Sequence, residues 1–254
     1  MKILVTILQC RRVALPFLFI RYALPMMKSA RGCSVCVHLV QHDYLLENTN
    51  AHETSMLPAS KQRLVAEWTA AGRYAGAIIT RHSEQFARYP SIPSRRIAAE
   101  FAAHHDHDLH LWLEDDAFVY DEDCGNWADT LGTNLIGAYR ENAFGYINTA
   151  HYVCRPELDL QLLPLLRESE NWNLEVSMYT IEGGRKMLNL SSPRIEPTIT
   201  RLAEKRVTQF RPAAASRYNT RKPESIVALK SLLNRVCPAE LHWLNLDFPG
   251  NLWD

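Results

Sequence analysis

Short apolar runs alternate with longer segments whose apolar residues recur at helical spacing. The runs over residues 3–8, 33–40, 75–80 and 110–113 are rich in Val, Ile and Leu, which is typical of strands buried on both faces. Between them, positions such as Leu64, Val65 and Trp68 form the apolar stripe of a helix. Strands separated by helix-sized connections predict an α/β fold, in which helices flank a mainly parallel, Rossmann-like sheet.

The same pattern places further elements along the chain. Residues 90–94 form a Pro- and Ser-rich break, and we expect Ser94 to cap the helix that follows. Two more strands are predicted over residues 135–139 and 146–153, possible partners in a hairpin. The other helices are predicted over residues 13–28, 158–168 and 174–188.

The length and charge of the chain limit the classes of function. Its 254 residues suffice for one large domain, and its net charge of zero excludes a general attraction to nucleic acid or membranes. Basic residues gather between Arg201 and Arg235. We therefore expect a catalytic domain over residues 1–190 and an irregular, basic extension over 191–254 that packs on it. No apolar stretch is long enough to span a membrane, and the expected location is the cytoplasm.

Three acids stand directly after a predicted buried strand. Glu114, Asp115 and Asp116 follow Leu-Trp-Leu with no Gly, Pro or Asn between, unlike an ordinary solvent-exposed turn. At the carboxyl end of a strand in an open α/β sheet, they lie where ligands bind. Adjacent carboxylates repel each other, so the cluster predicts a divalent cation.

The Leu-Glu-Asp-Asp sequence that ends at Asp116 resembles the acidic DxD motif of glycosyltransferases with the GT-A fold. The resemblance implies a metal-dependent transfer of sugar from a nucleotide-diphosphate donor, expected to be a UDP-sugar, to a hydroxyl acceptor. It makes Asp116 the principal ligand of Mn²⁺ or Mg²⁺. Glu114 and Asp115 would contact the sugar, the ribose or metal-bound water.

The resemblance also implies positions for donor-binding residues. Arg95 and Arg96, on the helix before the motif, would face the diphosphate. Arg11, in the loop over residues 9–12, would lie beside the nucleobase, and Asp43 would contact the base or the ribose.

Two further residues follow from the same family pattern. Glu175 matches the acid at the start of a helix that deprotonates the acceptor in inverting members, with Glu182 or Asp159 as substitutes. The pattern more often has Glu-Asp there, where this chain has Glu-Val. His242 matches the late histidine that supplies a further metal ligand.

Other interpretations remain open at this stage. A phosphoesterase or nucleotidyltransferase would use two metals, with residues 121–123 as further acids, although their lack of apolar flanks favours a surface loop. The basic extension allows a modified DNA base as acceptor, or a non-enzymatic nucleic-acid-binding module. The histidines over residues 104–110 are expected to form a polar, exposed helix end rather than a metal site.

Overall fold

The structure is a computed structural model, and it describes twelve stretches of the chain. These are residues 1–9, 12–30, 32–42, 58–74, 76–84, 91–115, 117–121, 124–133, 135–138, 151–168, 199–201 and 223–246. The predicted helix over residues 174–188 lies outside them.

A seven-stranded sheet forms the centre of the described structure. In chain order its strands are β1 (Lys2–Gln9), β2 (Ser34–His42), β3 (Ala77–His82), β4 (Leu109–Glu114), β5 (Ile136–Ala138), β6 (His151–Cys154) and β7 (Ile199–Arg201). Their order across the sheet is β3-β2-β1-β4-β6-β5-β7. The pairs β1–β2, β1–β4, β2–β3 and β5–β7 are parallel, whereas β6 runs antiparallel to both β4 and β5. The predicted mainly parallel sheet is confirmed.

Helices cover both faces of this sheet. They are α1 (Ala14–Leu18), α2 (Leu24–Ser29), α3 (Pro58–Ala70), α4 (Ser91–His104), α5 (Trp127–Leu131), α6 (Pro156–Glu168) and α7 (Pro223–Val236). A π-helical turn over Phe19–Ala23 joins α1 to α2, and a 3₁₀ helix over Pro238–Leu246 follows α7. None of the described helices is long and apolar enough to cross a membrane.

The side chains of β4 alternate between two hydrophobic clusters because successive residues of a strand point to opposite faces. Leu111 and Leu113 join the cluster that contains α1 and α3, where Phe17 stacks on Trp68 with ring centroids 4.3 Å apart. Trp112 joins the second cluster, which contains residues of α4 and α6. Glu114 therefore points to the α4 side of the sheet.

The C-terminal extension was expected to be irregular, but residues 223–246 within it are helical. Leu229, Leu232 and Leu233 recur at helical spacing, and all three are buried in the cluster that contains α1. β7 also joins the sheet as the partner of β5. Both segments contribute to the structure formed by the preceding residues.

The prediction that Ser94 caps a helix is wrong. Helix α4 begins at Ser91, so Ser94 lies in its first turn, where Pro93 is tolerated because the first helical N–H groups have no partner within the helix. The Ser94 hydroxyl is instead 2.8 Å from Nε2 of His82, at the end of β3. This contact connects α4 to the carboxyl end of the sheet.

Candidate functional site at the carboxyl edge of the sheet

The acidic turn lies at the carboxyl end of β4, as predicted. Glu114 is the last residue of the strand and stands opposite Leu8 of β1 in the parallel register. The Ala117 amide donates to the Glu114 carbonyl at 3.0 Å, which closes a tight turn directly after β4. Asp115 is buried, whereas Asp116 lies outside the described residues.

Arg95 neutralises the first acid of the turn. Its guanidinium forms an ion pair with the Glu114 carboxylate and lies 5.8 Å from the centre of the Trp112 ring. The Arg95 side chain is 2% exposed, but that of Glu114 is 25% exposed. Glu114 therefore keeps a solvent-facing portion while its charge is balanced from inside the protein.

Arg12 pairs with the second acid of the turn, Asp115. The backbone N–H of Arg12 donates to Oδ2 of Asp115 at 3.0 Å, and its guanidinium lies 3.4 Å from Oδ1. Both side chains are buried. Asp115 thus attaches the segment after β1 to the turn after β4. The predicted contact of Asp115 with a ligand stays a prediction.

The two adjacent arginines of α4 have different environments. Arg96 pairs with Glu84, just after β3, and both side chains are substantially exposed, at 30% and 51%. Exposed pairs of this kind contribute little to stability and exchange partners readily. Arg95 therefore has a structural partner, while Arg96 lies where solvent and solutes can reach it.

These pairs revise the argument from repulsion. The sequence presented three adjacent acids without visible counter-charges, but Arg95 and Arg12 supply positive charge to two of them. Oxygen donors still suit Mg²⁺ or Mn²⁺. For a cation at this turn, the accessible part of Glu114 and the Asp116 carboxylate are the candidate donors.

A row of polar side chains crosses the ends of three strands, and the sequence pattern did not single it out. Arg81 Nε donates to Gln41 Oε1 at 3.1 Å, and Gln41 Nε2 donates to Gln9 Oε1 at 2.8 Å. Gln9 Nε2 then donates to the Arg12 carbonyl at 2.9 Å. The available sequence signal was a glutamine directly after each of two predicted buried strands, since an amide buried there needs hydrogen-bond partners.

Two histidines extend this edge toward α4. His42 Nε2 lies 2.7 Å from the Glu84 carbonyl oxygen, and the rings of His42 and His82 meet edge to face with centroids 4.7 Å apart. His42 and His82 face each other in the register of β2 and β3. Together with the glutamines they form a hydrogen-bonding surface beside the acidic turn.

The remaining predicted site residues are His242 and four that the structure does not describe. Asp116, Arg11, Asp43 and Glu175 lie outside the described residues. His242 is exposed on the 3₁₀ helix, with its ring 4.8 Å from that of Trp243. Their predicted roles stay predictions.

Asp159 does not fit the role of a substitute base. Its side chain is buried on α6, where Oδ2 lies 2.6 Å from His110 Nδ1. Burial raises the pKa of this carboxyl, but His110 and His107 more than offset that and bring it to about 2. His110 stands four residues before Glu114, roughly 13 Å along the strand at ~3.3 Å per residue.

Asp121 was expected on a surface loop, and this prediction is wrong. Asp121 is buried, and the indole N–H of Trp127 donates to its Oδ2 at 2.5 Å. The sequence around Asp121 is acidic and gave no sign of burial, because its partner Trp127 lies in a different element, at the start of α5. Glu122 and Asp123 lie outside the described residues.

Comparison with known proteins gives matches at the level of structure. No protein-family model matches the chain, and neither does any curated protein sequence. A mannosyltransferase from Pyrobaculum calidifontis, solved with GDP-Man and Mn²⁺, has a TM-score of 0.40 and 12% identity, over 63% of this chain and 46% of its own. The galactosyltransferase LgtC, solved with donor and acceptor sugar analogues, has a TM-score of 0.34 and 16% identity, over 67% of this chain and 61% of its own.

A third similar structure is HddC from Yersinia pseudotuberculosis, with a TM-score of 0.42 and 5% identity, over 78% of this chain and 88% of its own. The chain spans only 46–61% of the length of the first matching glycosyltransferase structures. Glycosyltransferases are thus among the similar structures. At these identities and TM-scores the likeness does not extend to donor, acceptor or metal.

Proposed function

We propose that this chain is a metal-dependent glycosyltransferase that moves sugar from a nucleotide-diphosphate donor, expected to be a UDP-sugar, to a hydroxyl acceptor. One observation carries the proposal. The acidic turn lies at the carboxyl edge of a mainly parallel sheet, where ligands of open α/β sheets bind, with a partly exposed Glu114 held by a buried arginine.

The proposed metal ligand is Asp116, assisted by the accessible part of Glu114 and by His242. A bound Mn²⁺ or Mg²⁺ would act as a Lewis acid that stabilises charge on the leaving diphosphate. Asp115 would keep the turn in position through Arg12, since Arg12 contacts both of its oxygens. Asp43 and Arg11 remain the proposed contacts to the nucleoside.

Arg96 is the better of the two α4 arginines for binding phosphate. Its pair with Glu84 is exposed, so a diphosphate can replace the carboxylate at small cost. The planar guanidinium donates two parallel hydrogen bonds to phosphate oxygens. Arg95 would support Glu114 instead, because its own side chain is buried.

Glu175 is the proposed general base for an inverting transfer. Its carboxylate would take the proton of the acceptor hydroxyl as that oxygen bonds to the sugar carbon and the bond to the diphosphate breaks. The acceptor is a hydroxyl-bearing molecule, with glycans the first class to test and modified DNA bases the second.

Binding of nucleotides tests the metal and donor proposal. Isothermal titration with UDP, GDP and their sugars, with and without Mn²⁺, should show binding that depends on the ion. Asp116→Ala should weaken this binding at least ~10-fold, while Asp129→Ala, which removes an exposed carboxylate from α5, should leave it unchanged. Nucleotide binding that is absent, or equal in the two variants, would contradict the proposal.

The released product separates transfer from the alternative phosphate chemistry. A glycosyltransferase releases nucleoside diphosphate, which a coupled assay detects. Release of pyrophosphate or inorganic phosphate would instead support the nucleotidyltransferase or phosphoesterase interpretation. Glycan and DNA acceptors should be supplied in parallel assays. Turnover with one class and not with the other identifies the acceptor.

A further inference from the structure

A second cluster of metal-ligating side chains lies near the opposite end of β4. His107 precedes the strand, His110 belongs to it, and Asp159 comes from α6. One potential ligand atom of each residue lies within 4.8 Å of the other two, and all three residues are buried. The sequence could not bring Asp159 to these histidines, and the expectation of an exposed helix end is wrong for His107 and His110.

The hydrogen bonding of His107 fixes which of its nitrogens is available. Nδ1 lies 2.7 Å from the His105 carbonyl oxygen. Because a carbonyl only accepts, Nδ1 must carry the hydrogen, and Nε2 of the neutral ring presents a lone pair. Nε2 is buried without a hydrogen-bond partner, although its side chain is only 1% exposed. An unsatisfied buried nitrogen of this kind is costly unless something occupies the space before it.

That nitrogen faces a carboxylate oxygen. His107 Nε2 lies 3.8 Å from Asp159 Oδ2, which is beyond hydrogen-bonding distance. The other carboxylate oxygen, Oδ1, accepts a hydrogen bond from Trp112 Nε1 at 3.1 Å. Oδ2 therefore points between the two imidazoles, and a cation placed between it and His107 Nε2 would contact both atoms.

His110 presents its second nitrogen to the same point. Its Nδ1 lies 2.6 Å from Asp159 Oδ2, and its Nε2 lies 2.7 Å from the Thr6 hydroxyl. Because the carboxylate only accepts, Nδ1 donates to it here and Nε2 accepts from the Thr6 hydroxyl. In the other tautomer Nε2–H donates to Thr6, and Nδ1 presents its lone pair to an ion. Metal-bound histidines characteristically donate their other N–H to a carbonyl or a polar side chain. Both histidines have such a partner, the His105 carbonyl and the Thr6 hydroxyl.

We propose that His107, His110 and Asp159 form a binding site for a divalent transition metal of the zinc type. Two nitrogens and a carboxylate oxygen are a zinc-compatible donor set, with bonds of about 2.0–2.2 Å. The 3.8 Å between His107 Nε2 and Asp159 Oδ2 is shorter than two such bonds, so one ion can bridge them. The ion would replace the hydrogen bond between His110 and Asp159.

This site differs from the acidic turn in place and in chemistry. Its nitrogen donors favour zinc, whereas the oxygen donors of the turn favour Mg²⁺ or Mn²⁺. Its ligands join β4, the segment before it and α6, so metal binding would add to the free energy of folding. The site does not depend on the proposed transferase activity.

Metal content tests the proposal directly. Protein without an affinity tag, in an Asp116→Ala background that removes the acidic turn as a competitor, is incubated with one equivalent of zinc chloride, desalted and analysed by mass spectrometry. We expect about one zinc ion per chain. His107→Gln should reduce the content at least ~5-fold, since one of three ligands is lost, and His104→Gln, the same change at an exposed neighbour, should leave it unchanged.

Thermal unfolding and spectroscopy complete the test. A chelator should lower the Tm of the Asp116→Ala protein by roughly 5 °C or more and leave that of the His107→Gln protein unchanged. If His107→Gln does not fold, X-ray absorption of the zinc-loaded parent should still show two imidazole ligands. No retained zinc, retention equal in both histidine variants, or a zinc shell without imidazole would overturn the proposal.

Discussion

Arginine–carboxylate pairs determine the character of the carboxyl edge at the scale of single residues. Glu114, Asp115 and Glu84 pair with Arg95, Arg12 and Arg96 respectively. The sequence pattern identified Glu114, Asp115 and the α4 arginines, but it identified neither Glu84 nor which arginine pairs with which acid. Asp115 and Arg12 are 103 residues apart, and such contacts follow from the order of strands, which no local pattern encodes.

The two α4 arginines offer a matched test of buried against exposed pairing. Arg95→Leu removes the buried partner of Glu114, and we expect the free energy of unfolding to fall by about 2–4 kcal/mol because a partly buried charge loses its counter-ion. Arg96→Leu removes an exposed pair and should cost less than ~1 kcal/mol. Urea unfolding followed by circular dichroism measures both. Equal losses of unfolding free energy in the two variants would contradict the buried pairing of Arg95 with Glu114.

At the scale of elements, periodicity located most strands and helices, and prolines were the main source of error. The predicted helix over residues 13–28 exists, but it contains a π-helical turn just before Pro25, which has no N–H for the regular ladder. Proline also misplaced the start of α4. Proline predicted a break only before α4, whereas the predicted helices over residues 13–28 and 158–168 already included prolines. Buried apolar faces keep all three segments helical.

Pro164 lies in the interior of α6, so its cost to the stability of a helix can be measured there. Pro164→Ala restores a backbone N–H and removes the ring from the preceding turn, so the protein should gain about 1–3 kcal/mol of stability. Pro156→Ala is the control, because Pro156 is the first residue of the same helix, where proline is tolerated. Thermal unfolding should show a higher Tm for the first variant and little change for the second. A lower Tm for Pro164→Ala would mean that α6 is built around its proline.

At the scale of the whole molecule, the fold class was predictable from the sequence, but two clusters of buried polar side chains were not. Alternating apolar runs and amphipathic segments admit few arrangements besides a sheet covered by helices. The cluster of His107, His110 and Asp159, and the row of Gln9 and Gln41, depend on which strands become neighbours. The sequence contains these residues but no local signal of their contacts.

The stability of the whole chain should depend on pH through His38. This buried histidine stacks on Phe101, and burial, followed by the charges of His110 and His105, lowers its pKa to about 4. Between about pH 6.5 and 4, His38 is protonated in the unfolded chain but neutral in the folded chain. Stability should therefore fall on acidification, by up to ~1.4 kcal/mol per pH unit.

Comparison with His38→Gln isolates this contribution, because glutamine does not titrate and can still bond the Thr80 hydroxyl. Urea unfolding at several pH values should show the wild type losing stability relative to the variant as the pH falls below about 6.5. Above that pH the difference between the two should be constant. Parallel curves over the whole range would contradict the prediction.

The row from Arg81 to Arg12 has a direction. Arginine can only donate, so each amide must turn its oxygen toward Arg81 and its nitrogen toward Arg12, and neither glutamine is able to flip without breaking two bonds. The edge strand β3 thereby sets the orientation of groups two strands away. A residue at position 81 that only accepts would favour reversed amides. Gln9 would then turn its oxygen toward the Arg12 carbonyl, and that carbonyl would lose the N–H that it now accepts from.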